Sequence, residues 1–237
     1  MEWMYFIGCF LITYSIPIWV LIFIIIPSPQ LMVICFTSSL FYVAAIIINS
    51  ILWKLLPFLQ SSNTIYVLVG VLIIESVRPL YFGLFDRGRR SFKTVSTNRV
   101  IFPLDDLNCS ISAGYGWGIV HILLYYSSYV FKSIGPGTYY DNNCSLFSVI
   151  TKSSFFSFSL FLQNIFLMII FYDSLSKKSN LQWWFTVFLH LFASLWAEFE
   201  VNCILLVLGE LGIAFGEGIW CWYLIHRPKY RRKLKEL

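Results

Sequence analysis

The chain has 237 residues, of which 58% are hydrophobic and only 12% charged, with a mean hydropathy of +0.74 and a formal net charge of +5. Soluble domains average about half apolar and roughly a quarter charged, so this composition excludes a water-soluble globule and describes a chain that crosses a bilayer repeatedly. Nine Trp, fourteen Tyr and twenty-three Phe suit rings that face lipid or sit at headgroup level, so the aromatic content speaks of the membrane and not of a substrate.

A bilayer core of about 30 Å takes roughly 20 apolar residues per helix, because backbone polar groups in lipid must be satisfied within the segment. The stretches 3–26, 31–56, 64–85, 112–131, 146–172, 181–199 and 201–223 meet that length. The start, Met1-Glu2-Trp3, lacks the basic region of a signal peptide, and the first span is expected to be retained. Turn chemistry separates the spans: Pro27 to Gln30, Pro57 to Asn63, the polar stretch Asp86 to Cys109, Gly135-Pro136-Gly137, Lys177-Lys178, and Glu198 to Asn202. The last break is short, so one long tilted helix in place of spans six and seven stays open. The expected fold is an all-α seven-helix membrane domain over 1–226 followed by a basic tail, 227–237.

Orientation follows from Lys and Arg, which collect on the cytosolic side. With seven spans, the third loop, the fifth loop and the tail share one face and hold 13 of the 17 basic residues, among them Arg87, Arg89, Arg90, Lys93 and Arg99. The amino terminus is therefore expected outside or in the lumen, and the tail in the cytosol. Of two glycosylation sequons, at Asn108 and Asn143, only Asn143 would then face lumenal enzymes. The six cysteines follow neither a metal nor a disulfide-framework spacing. Cys144 and Cys203 are the two that could meet on the non-cytosolic side.

Charged groups in a span cost about 2.5–3.5 kcal/mol each, so the few present point to a protein-lined interior. Glu75 and Arg78 stand at i and i+3 on one face of span three and can pair. Gln163 and Asn164 in span five, His121 in span four and His190 in span six could complete a polar cluster. Packing roles are the simpler reading for a lone intramembrane His. Glu210 and Glu217, seven apart in span seven, share a stripe with Gly209 and Gly216, and suit either acid–base chemistry or pairing with Arg78 or a His. Gly114 and Gly118 form one G-x-x-x-G and Gly212 and Gly216 a second, spacings that let helix backbones approach where lipid gives no hydrophobic drive. No nucleophile elbow, H-E-x-x-H, Walker loop or paired intramembrane aspartates occur.

Several of these features fall in a family order. Phe6-Ile7-Gly8-Cys9, Pro29 in a short first loop, Ser50 to Trp53, Glu75-Ser76-Val77-Arg78, Gly114 and Gly118, Ile134 to Gly137, Phe171-Tyr172-Asp173 and His190 together resemble the Aph (anterior pharynx defective) family over nearly the whole chain. The resemblance implies a non-catalytic scaffold without cofactor or metal, holding presenilin, nicastrin and the presenilin enhancer subunit in the γ-secretase complex, which cleaves type I membrane proteins and serves Notch signalling. It implies membranes of the endoplasmic reticulum, Golgi, cell surface and endosomes, and no nucleic-acid partner. It assigns Gly114 and Gly118 to helix packing and the polar interior to assembly with presenilin. Three departures stand out: Ile122 in place of a third span-four glycine, Gln163 in place of a span-five histidine, and the span-seven glutamates. Rival readings are an intramembrane metalloprotease using Glu75, His190, Glu210 and Glu217, a seven-helix receptor, and a transporter. The missing histidine, the absent receptor motifs and the lack of self-similar halves weigh against them in turn.

Overall fold

A computed structural model describes residues 2–60, 62–95, 105–133, 140–141, 144–198 and 203–227, with the side chains of 91–95, 130–133 and 144–147 among those not described. Asn143, the Gly135-Pro136-Gly137 turn and the tail beyond residue 227 lie outside the described residues.

The elements are α1 (Glu2–Val20), a π-helical segment (Leu21–Ile25), α2 (Pro29–Leu55), the single turn α3 (Pro57–Gln60), α4 (Asn63–Val95), α5 (Asp106–Ser133), a ladder of β1 (Tyr140–Asp141) on β2 (Cys144–Ser148), then α6 (Val149–Ser176), α7 (Asn180–Glu198) and α8 (Cys203–His226). The fold is an all-α bundle apart from that short antiparallel ladder.

Local chemistry sets the boundaries. Pro29 opens α2 after extended Ser28, where a missing N–H costs nothing. The helix ends before Leu56, which precedes Pro57 and is extended, since a following proline disfavours the helical region. Ser148 caps α6 by accepting from the Thr151 N–H at 3.2 Å. At its other end Lys178 takes φ 53. The Ser179 N–H reaches the Ser174 carbonyl at 2.9 Å and the Lys178 N–H reaches Leu175 at 3.1 Å, the two bonds of a Schellman close.

Three boundaries differ from the sequence expectation. The stretch after Phe85 remains helical to Val95, and α5 begins at Asp106. Arg90 pairs with Asp86 one turn away at 2.5 Å, and Arg89 pairs with Asp106, so the charged segment is a helix leaving the apolar layer and tied to the start of α5. Span five begins later than 146, because residues 146–148 belong to β2.

Packing centres on α6, which touches α1, α5, α7 and α8, while α5 lies between α6 and α2. Around α6 nearly every face is buried, polar in its first half (Ser153, Ser154, Ser157, Ser159, Gln163, Asn164) and apolar in its second (Leu167 to Phe171). A helix buried all round must be enclosed by protein. The outer helices turn apolar side chains outward, with Phe36, Leu80 and Phe215 about two-thirds exposed. Among the described residues six helices, α1 with its π-helical extension, α2, α4, α5, α6 and α8, are long and apolar enough to cross a membrane. The 19-residue α7, which carries Gln182, His190 and Glu198, is not among those six. α7 and α8 pack against each other, which replaces the alternative of one long helix.

Candidate functional site

Most of the buried charge lies within the bundle, on α4, α6, α7 and α8. On α4, Glu75 and Arg78 are 2% and 0% exposed. Arg78 Nη1 stands 2.9 Å from Glu75 Oε1, the i,i+3 contact that their spacing allows. His190 of α7 donates from Nδ1 to the same Glu75 oxygen at 2.5 Å. One carboxylate therefore joins α4 to α7. Pro79 follows directly inside α4, and its missing N–H frees the Glu75 backbone carbonyl of its helical donor, adding an acceptor beside the pair.

Aromatic rings wall this group from α2 and α5. The Arg78 guanidinium lies 5.1 Å from the centroid of the fully buried Trp117 ring, within cation–π range. Tyr42 of α2 stacks obliquely on Trp117 at 5.1 Å and on His121 at 5.6 Å. His121 accepts from Asn164 Nδ2 at 3.2 Å, and the same amide donates to the Leu160 carbonyl at 2.8 Å.

A separate polar contact holds α8 on α6. Gln163 Nε2 donates to Glu210 Oε2 at 2.8 Å, and Ser159 Oγ donates to the Glu210 backbone carbonyl at 2.8 Å. The expected single cluster is thus three neighbouring groups: Glu75–Arg78–His190, His121–Asn164 and Gln163–Glu210. Glu210 takes neither Arg78 nor a histidine as its hydrogen-bond partner. Glu217, also buried, has no hydrogen-bond partner on either oxygen among the described residues.

The two glycine motifs behave differently. A Cβ on Gly114 would stand 2.7 Å from Ile165 Cα and 3.0 Å from the Asn164 carbonyl, and one on Gly118 2.9 Å from Phe161. Both glycines lie where α5 crosses α6 at backbone contact. Around Gly212 and Gly216 no atom lies within 4 Å of such a Cβ. Since α8 turns Glu210, Ala214, Glu217 and Cys221 inward, residues 212 and 216 face out, and the packing expected of them within the chain is absent. Gly209 instead lies against the Trp196 ring.

Spacing alone missed Gly116, whose opposite face meets Ser38, Ser39 and the Cys35 carbonyl of α2. It also missed Trp117 and Tyr42. The run Gly114-Tyr115-Gly116-Trp117-Gly118 held the signal, since glycines two apart in a helix point to different neighbours. Ser39 Oγ donates to the Gly116 carbonyl at 3.0 Å and Ser112 Oγ to the Leu31 carbonyl at 2.5 Å, sealing the same crossing.

Cys203, at the start of α8, is disulfide-bonded, while Cys9, Cys35, Cys109 and Cys221 are free. The side chain of Cys144 is not among those described. Among the described residues no three His, Cys, Asp or Glu side chains converge to hold a metal ion. An apolar groove of about 250 Å³ between α6 and α8, lined by Leu162, Phe166, Leu211, Phe215 and Trp222, adds no polar group to the cluster.

Comparison with known proteins aligns this architecture with one family. The profile described as Aph-1 protein matches residues 4–228. The chain is 24% identical over 177 residues to the gamma-secretase subunit APH1-like of Arabidopsis thaliana, covering 71% of this chain and 70% of that protein. It is 23% identical to the putative gamma-secretase subunit APH-1C of Mus musculus over 92% of this chain and 88% of the relative. It is likewise 23% identical to the gamma-secretase subunit Aph-1 of Drosophila melanogaster, over 83% and 82%.

Proposed function

Because this chain belongs to the Aph-1 family, we propose that it is a membrane-embedded, non-catalytic assembly subunit of a γ-secretase complex, holding presenilin, nicastrin and the presenilin enhancer subunit together. The observation that carries this reading is a family match running almost end to end, joined by relatives that are themselves named γ-secretase subunits. Protease activity then belongs to a partner. This chain supplies a rigid α5–α6 crossing and a buried polar group around Arg78 against which partner helices are ordered. The seven crossings with the tail in the cytosol, and residence in the endoplasmic reticulum, Golgi, cell surface and endosomal membranes, complete the proposal.

The polar interior supports an assembly role on energetic grounds. Intramembrane charges cost a few kcal/mol each when unpaired, and here one carboxylate ties α4 to α7 while another is held by α6 from α8. Such residues set which helices meet and in what register, since lipid offers apolar faces no preference among themselves.

The test is a mild-detergent pull-down of tagged protein from its own cells, with mass spectrometry of the associated proteins. Presenilin and nicastrin homologues are expected. A folded, monodisperse preparation that retains neither would overturn the proposal.

A further inference from the structure

Small residues open a groove where α8 lies on α6. Ala214 and Gly218 form its floor beside Phe166, whose ring would stand 3.2 Å from a Cβ at 218. Phe215, Ile219 and Trp222 form the outer wall and are each about two-thirds exposed, so this space of about 250 Å³ opens toward lipid. No residue lining it is charged. An aliphatic cavity of about 150 Å³ takes benzene, so the volume here suits a stretch of one hydrocarbon chain. It is too small for the body of a helix, which is about 10 Å across.

The groove has a direction and a length. Glu210 meets Ser159 and Gln163 of α6, and further on Cys221 donates to the Phe166 carbonyl at 3.4 Å, so α6 and α8 run the same way. From Leu211 to Trp222, its two ends on α8, the helix rises roughly 16 Å. That is about half of a 30 Å hydrocarbon core, the depth of one leaflet. At the Trp222 end the chemistry changes. His226 stacks on Trp222 at 4.0 Å and donates from Nδ1 to its backbone carbonyl at 2.9 Å. The Arg227 guanidinium lies 4.5 Å from the centroid of the Tyr223 ring. Aromatic rings followed at once by a cation mark headgroup level. Asp173, the carboxylate toward the same end of α6, is matched by Lys177 at 2.5 Å and bonded by Gln182 at 2.9 Å, which limits its repulsion of an anion at Arg227.

We propose that the α6–α8 groove holds one acyl chain of an anionic phospholipid of the cytosolic leaflet, with its headgroup met by Arg227. The apolar floor accepts the chain of any lipid. Selection comes from the cation at the mouth, on the side of the bilayer that carries anionic lipid. Phosphatidylcholine also has a phosphate, but its own choline neutralises it. The choice of leaflet rests on the orientation proposed above, whereas the pairing of groove with headgroup does not.

The test uses the purified full chain in nanodiscs, whose two leaflets are alike, so its result is independent of orientation and of partners. Phosphatidylserine or phosphatidylcholine bearing the same diazirine-labelled acyl chain is included as a minor component, and cross-linked residues are mapped by mass spectrometry after irradiation. Label is expected on residues 211–222, with phosphatidylserine exceeding phosphatidylcholine about fivefold, the preference that one basic side chain at the surface confers. R227Q should bring that ratio close to one. The five basic residues that follow Arg227 in the sequence are kept in this variant. A preference that survives R227Q therefore belongs to diffuse attraction by the tail and overturns the site. G218L, which fills the floor, should remove label of both lipids from 211–222 while lipid-facing Phe23 of α1 stays labelled. If G218L does not fold, R227Q at the end of α8 decides the matter. Equal labelling by the two lipids in wild type, or a groove labelled no more than Phe23, would overturn the proposal. So would cross-links joining α8 of two copies over an unlabelled groove, which would give it to a second copy. Loss of label in a complex isolated from cells would give it to a partner helix instead, with the same consequence.

Discussion

Lys178 holds a left-handed backbone, φ 53, because the Schellman close of α6 requires one residue there and the sequence supplies no glycine. For a side chain with a Cβ that conformation costs roughly 1–2 kcal/mol. K178G should therefore raise stability by about 1 kcal/mol, read as a higher melting temperature in detergent, and a lower one would show that the lysine makes a compensating contact. Glycines on α5 work in the opposite sense. G116A would place a methyl group on the Cys35 carbonyl and the Ser38 hydroxyl, and backbone cannot swing aside as a side chain can. A loss of about 1–3 kcal/mol, the range for overpacking, is expected. G212A meets open space and should be neutral or slightly stabilising, since Ala favours helix over Gly by up to about 1 kcal/mol. Equal effects at 116 and 212 would mean that the α2–α5 crossing is looser than its geometry. The sequence displayed Gly114 and Gly118 through their four-residue spacing. It hid Gly116, because recognising a second packed face requires knowing that α5 is flanked on both sides.

Helix α8 is joined to α6 through Glu210, whose side chain and backbone carbonyl receive separate donors. Interhelical hydrogen bonds in membranes are worth about 0.6 kcal/mol on average and up to about 1.7, but removing the donor also strands a buried carboxylate, so Q163L should cost more than a typical bond. Q163H keeps a donor at the same position and should be tolerated. Comparing the folded yield of the two variants by size-exclusion chromatography checks this, and equal loss would mean that side-chain volume, not the donor, matters at 163. Element existence was readable from composition, since long apolar runs have few alternatives in lipid. Ends were less so: the charge-rich stretch after Phe85 reads as loop until Asp86, Arg89, Arg90 and Asp106 are seen to pair. The partners of polar residues were least legible, because Glu75 and His190, 115 positions apart, are brought together only by the tertiary arrangement of α4 and α7.

The course of the whole chain constrains its orientation. Tyr5 near the start of α1 bonds Thr151 at the start of α6 at 2.9 Å. Both α6 and α8 touch β2, which leads directly into the start of α6. α7 lies between those two helices in sequence, and 19 residues rising about 1.5 Å each span nearly 30 Å, enough to return the chain to the β2 end although α7 is not among the six helices apolar enough to cross a membrane. At that end Cys203 is disulfide-bonded, a state that persists in oxidising compartments and is rare in the cytosol. Arg89 and Arg90 near the end of α4, and Lys177 at the end of α6, carry the positive charge that marks the cytosolic face. Two unrelated signals, redox chemistry and charge, thus both support the proposed orientation. In sealed microsomes an amino-terminal tag should resist added protease and a carboxyl-terminal tag should be removed. If both tags are cleaved, the number of crossings is even and α7 does not traverse the bilayer. If only the amino-terminal tag is cleaved, the bundle is inverted and the basic residues at the ends of α4 and α6 face the lumen.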